Sequence, residues 1–157
     1  MIRPTVPADT QELLALTADT GVFKPHEVET LQEVLDDYHE LNHAHHHVCV
    51  TDERDGQVVG FAYYAPDSMT DRTWYLYWIA VKRHTQARGI GSELLRYAEH
   101  DIRRRRGRLL FIETSSQPSY EPTRRFYLKH SYEVGGTLAD YYTDGDDMVI
   151  FRKRLGS

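Results

Sequence analysis

The sequence predicts an α/β fold with a mixed sheet, and three patterns along the chain carry this prediction. An Asp55-Gly56 turn separates two runs of β-forming residues, which indicates an antiparallel hairpin. Two apolar strands, Trp74–Val81 and Leu109–Thr114, flank an amphipathic helix and so form a strand–helix–strand unit with parallel strands. A second hairpin pairs Tyr132–Leu138 with Met148–Arg152. A meander, a parallel unit and a hairpin in this order are typical of an α/β protein.

A short strand and two helices precede the first hairpin. Ile2–Pro4 suits an edge strand, where proline is tolerated, and Asp9 suits the N-cap of the first helix. Pro25 favours the start of the second helix. The apolar residues of that helix recur at helical spacing, and they are Val28, Leu31, Val34, Leu35 and Tyr38.

The central strand is the longest apolar run of the sequence, and an amphipathic helix follows it. Because apolar residues run on rather than alternate, we expect Trp74–Val81 to be buried on both faces. A glycine-bearing loop, Lys82–Gly91, leads into a helix that ends near Arg106, and Gly107 suits the left-handed position after it. The core stripe of this helix consists of Ile90, Leu94, Leu95, Ala98 and Ile102. A shorter helix follows over about Glu121–Lys129.

Composition limits the class of protein. The chain has 157 residues, of which 40% are apolar and 27% charged, so we expect one domain spanning residues 1–157. Its single cysteine, Cys49, excludes an internal disulfide framework and cannot by itself supply a thiolate zinc cluster. The longest apolar run is far shorter than the roughly 20 residues that a membrane span needs. The sequence begins without a signal-peptide pattern, so we expect a cytoplasmic protein that binds no membrane.

Charge is distributed unevenly along the chain. The net charge is −5, but residues 1–81 carry 4 basic and 14 acidic side chains, whereas residues 82–130 carry 12 basic and 5 acidic ones. The basic block favours a polyanionic ligand, and the acidic first part is compatible with a cationic second ligand. Solvated helix faces with the same charges would explain the pattern equally well.

The segment Gln86–Ser92 has the composition of an anion-binding loop. Its glycines allow close approach to the backbone, and it opens a helix whose first N–H groups and dipole favour phosphate. A dinucleotide fingerprint would need glycine where Leu94 stands, and a phosphate-binding loop of nucleotide hydrolases would need lysine after Gly91. Both of these motifs are therefore excluded, while a plain strand-to-helix turn stays open on these residues alone.

The residues around this loop resemble motif A of the GNAT superfamily of N-acetyltransferases. Ile79–Val81 followed by Gln86–Gly91 is similar to the end of its strand and its Q/R-x-x-G-x-G/A signature, and Leu94–Glu99 is similar to the helix that continues the motif. Arg125–Tyr132 resembles the A-x-x-F-Y-x-x-x-G-F segment of the same superfamily. The resemblance extends from about residue 48 to the end of the sequence.

The resemblance implies the GNAT fold and acetyl-coenzyme A as co-substrate, with no metal. That fold is a single domain with a mostly antiparallel mixed sheet of six to seven strands, splayed at a central parallel pair and flanked by helices. The pyrophosphate would bind the loop amides, and the pantetheine arm would run beside the end of the central strand. Tyr120 stands where the family often has a coenzyme-contacting asparagine. The coenzyme-binding residues implied are Ile79, Ala80, Val81, Gln86, Ala87, Arg88, Gly89, Ile90, Gly91, Ser92, Tyr120 and Arg124.

Two residues are candidates for proton transfer during acetyl transfer to an amine. Tyr127 matches the family tyrosine that donates to the departing sulfur, and a phenol is protonated at pH 7 as an acid must be. Glu113 ends the second parallel strand among apolar neighbours that should raise its pKa, so we expect it to be the base, directly or through a water. A solvent-facing strand-end carboxylate and a buried aromatic residue are the structural alternatives for these two positions. Tyr77 is expected to line the acceptor site, and a main-chain N–H near Ile79–Val81 to stabilise the oxyanion.

The sequence favours an amine as the acceptor but does not fix which one. We expect a primary amine of a small molecule, acetylated by direct attack. Asp140-Tyr141-Tyr142 resembles the tyrosine pair of N-terminal acetyltransferases, so Tyr141 is expected at the acceptor site and a peptide N-terminus is the alternative. A catalytically idle acetyl-coenzyme A-binding module and an RNA-binding domain are alternatives of other classes. A homodimer is one oligomeric state that the sequence leaves open.

Three other features are interpreted as structural. Cys49 lies in a strand of the first hairpin and is expected to be a core thiol rather than a nucleophile. The histidines between His39 and His47 lack a carboxylate or cysteine partner for a metal site, which favours a solvated loop. The run Arg103–Arg106 complements the dipole at a helix C-terminus, so we expect no nucleic acid as a partner.

Overall fold

The computed structural model describes residues 1–85 and 88–156, and it contains a seven-stranded sheet with the strand order β1-β2-β3-β4-β5-β7-β6. The strands are β1 (Ile2–Pro4), β2 (Val48–Arg54), β3 (Gln57–Pro66), β4 (Thr73–Val81), β5 (Leu109–Ser115), β6 (Glu133–Thr143) and β7 (Asp146–Arg154). The helices are α1 (Thr10–Asp19), α2 (Pro25–Glu40), α3 (Ile90–Arg104) and α4 (Glu121–Lys129). Within the described ranges no helix has the length and apolarity needed to span a membrane. The predicted α/β fold with a mixed sheet is confirmed.

The chain folds as two compact units. The first unit comprises Met1–Ala65 and Trp78–His100, and the second comprises Pro66–Tyr77 and the described residues from Asp101 onward. Strand β4 and helix α3 each contribute residues to both units.

The core of the first unit forms where apolar helix stripes meet the β2–β3 hairpin. Leu13 of α1, Leu31 and Leu35 of α2, and Phe61 of β3 are completely buried in one cluster. The hairpin has the predicted two-residue turn, since Asp55 and Gly56 have φ values of 51° and 75°. The predicted α3 stripe is confirmed, because Ile90, Leu94, Leu95, Ala98 and Ile102 have no exposed surface.

A glycine in β3 sets how closely α3 approaches the sheet. A Cβ on Gly60 would lie 3.0 Å from the Ala80 carbonyl oxygen and 3.0 Å from Leu94 Cδ1. The absent side chain therefore lets α3 pack directly against the strands that precede it.

The start of α1 differs from the sequence prediction. No side-chain hydrogen bond from Asp9 caps α1. Its carboxylate instead accepts the Val6 N–H at 2.9 Å and the Arg3 guanidinium at 2.8 and 2.9 Å. Asp9 is the N-cap residue of α1, as predicted, but its side chain does not cap the helix, because an arginine of β1 provides a charged partner.

A short parallel ladder organises the second unit. Thr73–Tyr75 of β4 pairs with Leu109–Phe111 of β5, and this pairing covers three residues on each strand. The following residues up to Tyr77 and Glu113 lie outside the ladder, as expected for a splayed pair. On its other edge β5 pairs antiparallel with β7 along its whole length. The prediction that Trp74–Val81 is buried on both faces is wrong at Tyr77, which is 50% exposed beyond the end of the ladder.

The C-terminus of α3 also differs from the prediction. Arg106, rather than Gly107, adopts the left-handed conformation, with φ 67°. The Arg106 N–H donates to the Arg103 carbonyl at 2.9 Å and the Gly107 N–H donates to the Ile102 carbonyl at 2.8 Å, which is a Schellman motif. A side chain at Gly107 would clash with its neighbours, because a Cβ there would lie 2.2 Å from Ile102 Cγ2 and 2.9 Å from Trp74 Cδ1.

This packing predicts that Gly107→Ala lowers the free energy of unfolding by about 1–3 kcal/mol, the usual cost of overpacking a core. Urea denaturation measures the change. Gly136→Ala is the matched control, since its Cβ would lie 3.8 Å from Ile150 Cγ2, an ordinary contact, and its stability should stay within about 0.5 kcal/mol of the wild type. Equal stability of the two variants would contradict the contact analysis.

Candidate active site

The first unit contributes the glycine loop, Lys82–Gly91, which joins β4 to α3. Gly89 has φ 73°, and a Cβ built on it would have no atom within 4 Å, so its backbone faces open space. The Glu93 N–H donates to the Gly89 carbonyl at 3.0 Å, where α3 begins. A helix start that exposes backbone in this way can hold an anion. The predicted coenzyme residues Gln86 and Ala87 lie outside the described residues.

The glycine loop itself carries exposed positive charge. Lys82, Arg83 and Arg88 are all exposed. The acidic side chain in the first turn of α3, Glu93, forms an ion pair with Arg54 of β2. This pair compensates the charge of the carboxylate nearest the loop, so the local field favours an anion. Sequence reasoning missed Arg54, because its role depends on β2 lying beside the start of α3.

The end of β4 supports the loop. Ala80 is buried, whereas Ile79 and Val81 are partly buried. Beyond the strand the Lys82 N–H donates to the Val59 carbonyl at 2.8 Å, so β3 holds this end of β4 in place. The role of these three residues toward pantetheine remains a prediction, as does the coenzyme contact of Ser92.

In the second unit, four side chains form what we call the tyrosine face: Tyr75, Tyr77, Phe111 and Glu113. Alternate residues of a strand point to the same side of a sheet, so each strand contributes two of them. The Tyr75 ring stacks on Tyr77 with centroids 5.6 Å apart and on Phe111 with centroids 5.8 Å apart. Sequence reasoning identified Tyr77 and Glu113 but missed Tyr75, although its position two residues before Tyr77 is the signal that would have found it.

Glu113 has the electrostatic character of a base. Part of its side chain is exposed, yet desolvation by the surrounding protein raises the pKa of its carboxyl above the ordinary value. Burial also raises the pKa of the Tyr75 and Tyr77 phenols, and the carboxylates of Glu113 and Asp67 add to that rise. The tyrosine face therefore combines neutral phenols with negative charge and would attract a cation.

Tyr127 is the buried phenol of the second unit. It lies in α4 with only 2% of its surface exposed, and its ring packs 5.7 Å from both Tyr132 and Phe151. Burial raises the pKa of Tyr127, and the neighbouring Tyr120 phenol raises it further. The phenol is thus protonated at neutral pH, so it can donate a hydrogen bond or a proton to a developing anion.

The other predicted residues of this unit have different surroundings. Arg124 donates to the Ser115 carbonyl at 2.6 Å and the Gln117 carbonyl at 3.0 Å, so it ties α4 to the end of β5. This bonding gives Arg124 a role in placing α4, while its contact with the coenzyme remains a prediction. Tyr141 is 55% exposed on β6, and its ring lies 5.0 Å from that of Tyr142.

Two features of the first unit are set apart from acetyl transfer. Cys49 is buried, and burial raises the pKa of its thiol to about 12, so it is not a thiolate at neutral pH. His43 Nδ1 lies 2.9 Å from the Tyr38 carbonyl and His47 Nδ1 lies 2.6 Å from the Tyr63 hydroxyl. The interpretation of a solvated loop therefore holds for the exposed His45 and His46. It is wrong for His39, which is half-buried in α2, and for His47, which packs on the Tyr63 ring.

Several known proteins are similar to this chain in sequence or in fold. A protein from Desulfovibrio desulfuricans, assigned to the GNAT acetyltransferase family, has a crystal structure that matches with TM-score 0.94 and 36% identity over 99% of each chain. An uncharacterized N-acetyltransferase of Methanocaldococcus jannaschii is 31% identical over 105 residues, or 65% of this chain, and the match spans 63% of that relative's length. An aminoglycoside 6′-N-acetyltransferase complexed with coenzyme A shares the fold, with TM-score 0.77 and 18% identity over 100% of this chain and 98% of the other.

The family assignment rests on most of the sequence. Residues 11–132 match the model of the Acetyltransferase (GNAT) family, and this match includes the glycine loop, Glu113 and Tyr127. The resemblance found in the sequence is thereby confirmed, and the chain belongs to the GNAT acetyltransferase family.

Proposed function

We propose that the protein transfers the acetyl group of acetyl-coenzyme A to a primary amine of a small molecule by direct attack of the amine. The observation that carries this proposal is the tyrosine face, where a desolvated Glu113 carboxyl lies among phenols. A base of raised pKa and an aromatic surface suit an ammonium group that must be bound and deprotonated.

The glycine loop fits the co-substrate. Its open backbone at Gly89 and its exposed cations Lys82, Arg83 and Arg88 would hold the phosphates of coenzyme A. When bound, the co-substrate supplies an acetyl group activated as a thioester. Among the other predicted ligands, Tyr120 and Arg124 would contact it from α4 and the turn before it.

Glu113 would remove the proton from the acceptor. An ammonium group must lose a proton before its nitrogen can attack a carbonyl carbon. Desolvation raises the pKa of Glu113, which reduces the difference in proton affinity between the carboxylate and the amine. The faces of Tyr75 and Tyr77 would hold the cation beside this carboxylate until the proton leaves.

Tyr127 would donate its proton, or a hydrogen bond, to the departing sulfur. Its raised pKa keeps it protonated, and its packing in α4 fixes its direction. Cys49 is buried as a protonated thiol, which supports a sequential reaction without an acyl-enzyme.

A peptide N-terminus is the second candidate acceptor. The exposed Tyr141–Tyr142 pair on β6 offers an aromatic surface to an extended chain, which a small amine does not need. If a peptide is the acceptor, Tyr141→Ala should raise the KM for peptides much more than the KM for small amines.

The glycine loop assignment predicts the response of coenzyme affinity to charge at Gly89. Gly89→Asp would place a carboxylate at the open backbone, and affinity for coenzyme A should fall by tenfold or more, about 1.4 kcal/mol. Gly89→Asn is the matched control, since asparagine has the same shape and tolerates a positive φ without the charge. Calorimetry measures both variants. Equal affinity of the folded Asp and Asn variants would disprove an electrostatic role for the loop.

The base assignment predicts the effect of Glu113→Gln on turnover. Turnover should fall by roughly 10²–10⁴-fold, while coenzyme affinity stays unchanged. In the wild type the rate should rise as the pH passes the raised pKa of Glu113, because only the carboxylate accepts a proton, and this rise should disappear in the variant. Glu12→Gln, an exposed residue of α1, is the control. Full activity with an unchanged pH–rate profile in Glu113→Gln would assign the base elsewhere.

The acid assignment predicts that Tyr127→Phe depends on the leaving group. Its turnover should fall by roughly 10²-fold with acetyl-coenzyme A but much less with an acetyl donor whose thiol is more acidic, because that thiolate needs no proton. Tyr132→Phe removes a hydroxyl from the neighbouring ring and serves as the control. An effect of Tyr127→Phe that is independent of the thiol would indicate packing rather than proton donation.

A further inference from the structure

A cavity outside the residues assigned to acetyl transfer lies at the C-terminal end of α3, within the second unit. Its volume is about 310 Å³, at the small end of the range for ligand pockets. The cavity, which we call the arginine pocket, is lined by Arg72, Arg103, Arg106, Gly107, Leu155 and Gly156. Half of these residues are arginines and none is acidic, so the pocket has the polarity of an anion site.

Main-chain carbonyls hold two of the arginines in place. Arg72 Nη1 donates to the Arg106 carbonyl at 3.2 Å, and Arg103 Nε donates to the Leu155 carbonyl at 3.1 Å. These bonds orient the two planar guanidinium groups, and Arg72 also forms an ion pair with Asp71. They also satisfy carbonyls near the helix end, so capping accounts for part of their presence.

Capping does not account for Arg106. Its guanidinium has no hydrogen-bond or ion-pair partner within residues 1–85 and 88–156. Its backbone has φ 67°, the conformation that glycine adopts most easily at this position of a helix end. Glycine would be more stable than arginine at this position, and the arginine present there lines the pocket.

The nearby carboxylates pair with arginines outside the pocket lining and with one arginine, Arg72, that belongs to it. Asp101 binds Arg104 at 2.6 Å and Arg105 at 3.2 Å. Asp71 binds Arg72 at 2.9 Å from outside the pocket lining. Positive charge consequently exceeds negative charge around the pocket.

We propose that the arginine pocket binds a small phosphate-bearing molecule. Guanidinium groups bind phosphate oxygens through parallel N–H donors, and oriented arginines lose little freedom on doing so. A cavity volume of about 310 Å³ favours a small molecule over an extended polyanion. The site shares no residue with the glycine loop, and the proposal does not depend on the acceptor or on acetyl transfer.

Inorganic pyrophosphate is the probe, and calorimetry with the full chain is the measurement. Arg106→Gly should weaken pyrophosphate binding by about tenfold or more, as expected for loss of a charged contact. Because glycine relieves the left-handed strain, the same variant should unfold at an equal or higher temperature, which separates lost binding from lost folding. Arg96→Gln removes one charge from the exposed face of α3 and should bind as the wild type does.

A second pair of variants separates the arginine pocket from the glycine loop, which could also take pyrophosphate. Gly89→Asp should retain pyrophosphate binding at the arginine pocket, and in that background Arg103→Gln and Arg106→Gly should each weaken it. Retained affinity in Arg106→Gly, or abolished affinity in Gly89→Asp, would overturn the proposal. An RNA oligonucleotide that requires Arg106 while pyrophosphate fails to bind would overturn it as well.

Discussion

The three-residue parallel ladder between β4 and β5 determines which side chains act together in the second unit. By pairing Tyr75 with Phe111, it places their next same-face neighbours, Tyr77 and Glu113, just beyond the last paired residues. Pairing of β5 with β7 along its other edge keeps Glu113 in a fixed strand although its β4 edge is outside the ladder. An exposed strand-end carboxylate thus lies beside aromatic rings, and the protein around it partly desolvates it and raises its pKa.

The two units provide opposite electrostatic environments. The glycine loop of the first unit combines open backbone with exposed cations, and the Arg54 ion pair compensates the one carboxylate in the first turn of α3. The tyrosine face of the second unit combines neutral phenols with the Glu113 carboxylate, and the Asp67 carboxylate adds negative charge nearby. A polyanionic co-substrate and a cationic acceptor are the pair of ligands that these environments suit. The charge asymmetry between residues 1–81 and 82–130 matches these two environments only in part, because Glu113 lies in the basic block of the sequence.

Local patterns predicted much of the fold, whereas contacts between distant residues decided the rest. The α3 stripe and the Asp55-Gly56 turn follow from periodicity and turn chemistry alone, and both predictions were correct. Asp9 is the N-cap residue of α1 as predicted, but its carboxylate binds Arg3 of β1 instead of the first N–H groups of the helix. Gly107 looked like a left-handed cap, yet its lack of a side chain serves the packing of Ile102 and Trp74. At the site, motif residues were identified from sequence, while Tyr75 required the register of the ladder.

We expect this member of the GNAT family to acetylate small primary amines. Release of free coenzyme A thiol from acetyl-coenzyme A, measured with a panel of small amines and a matched panel of peptides, tests it most directly. At least one small amine should accelerate thiol release well above hydrolysis in water and be recovered with one added acetyl group. Tight coenzyme binding with no acceleration by any amine, or acceleration by peptides alone, would contradict it.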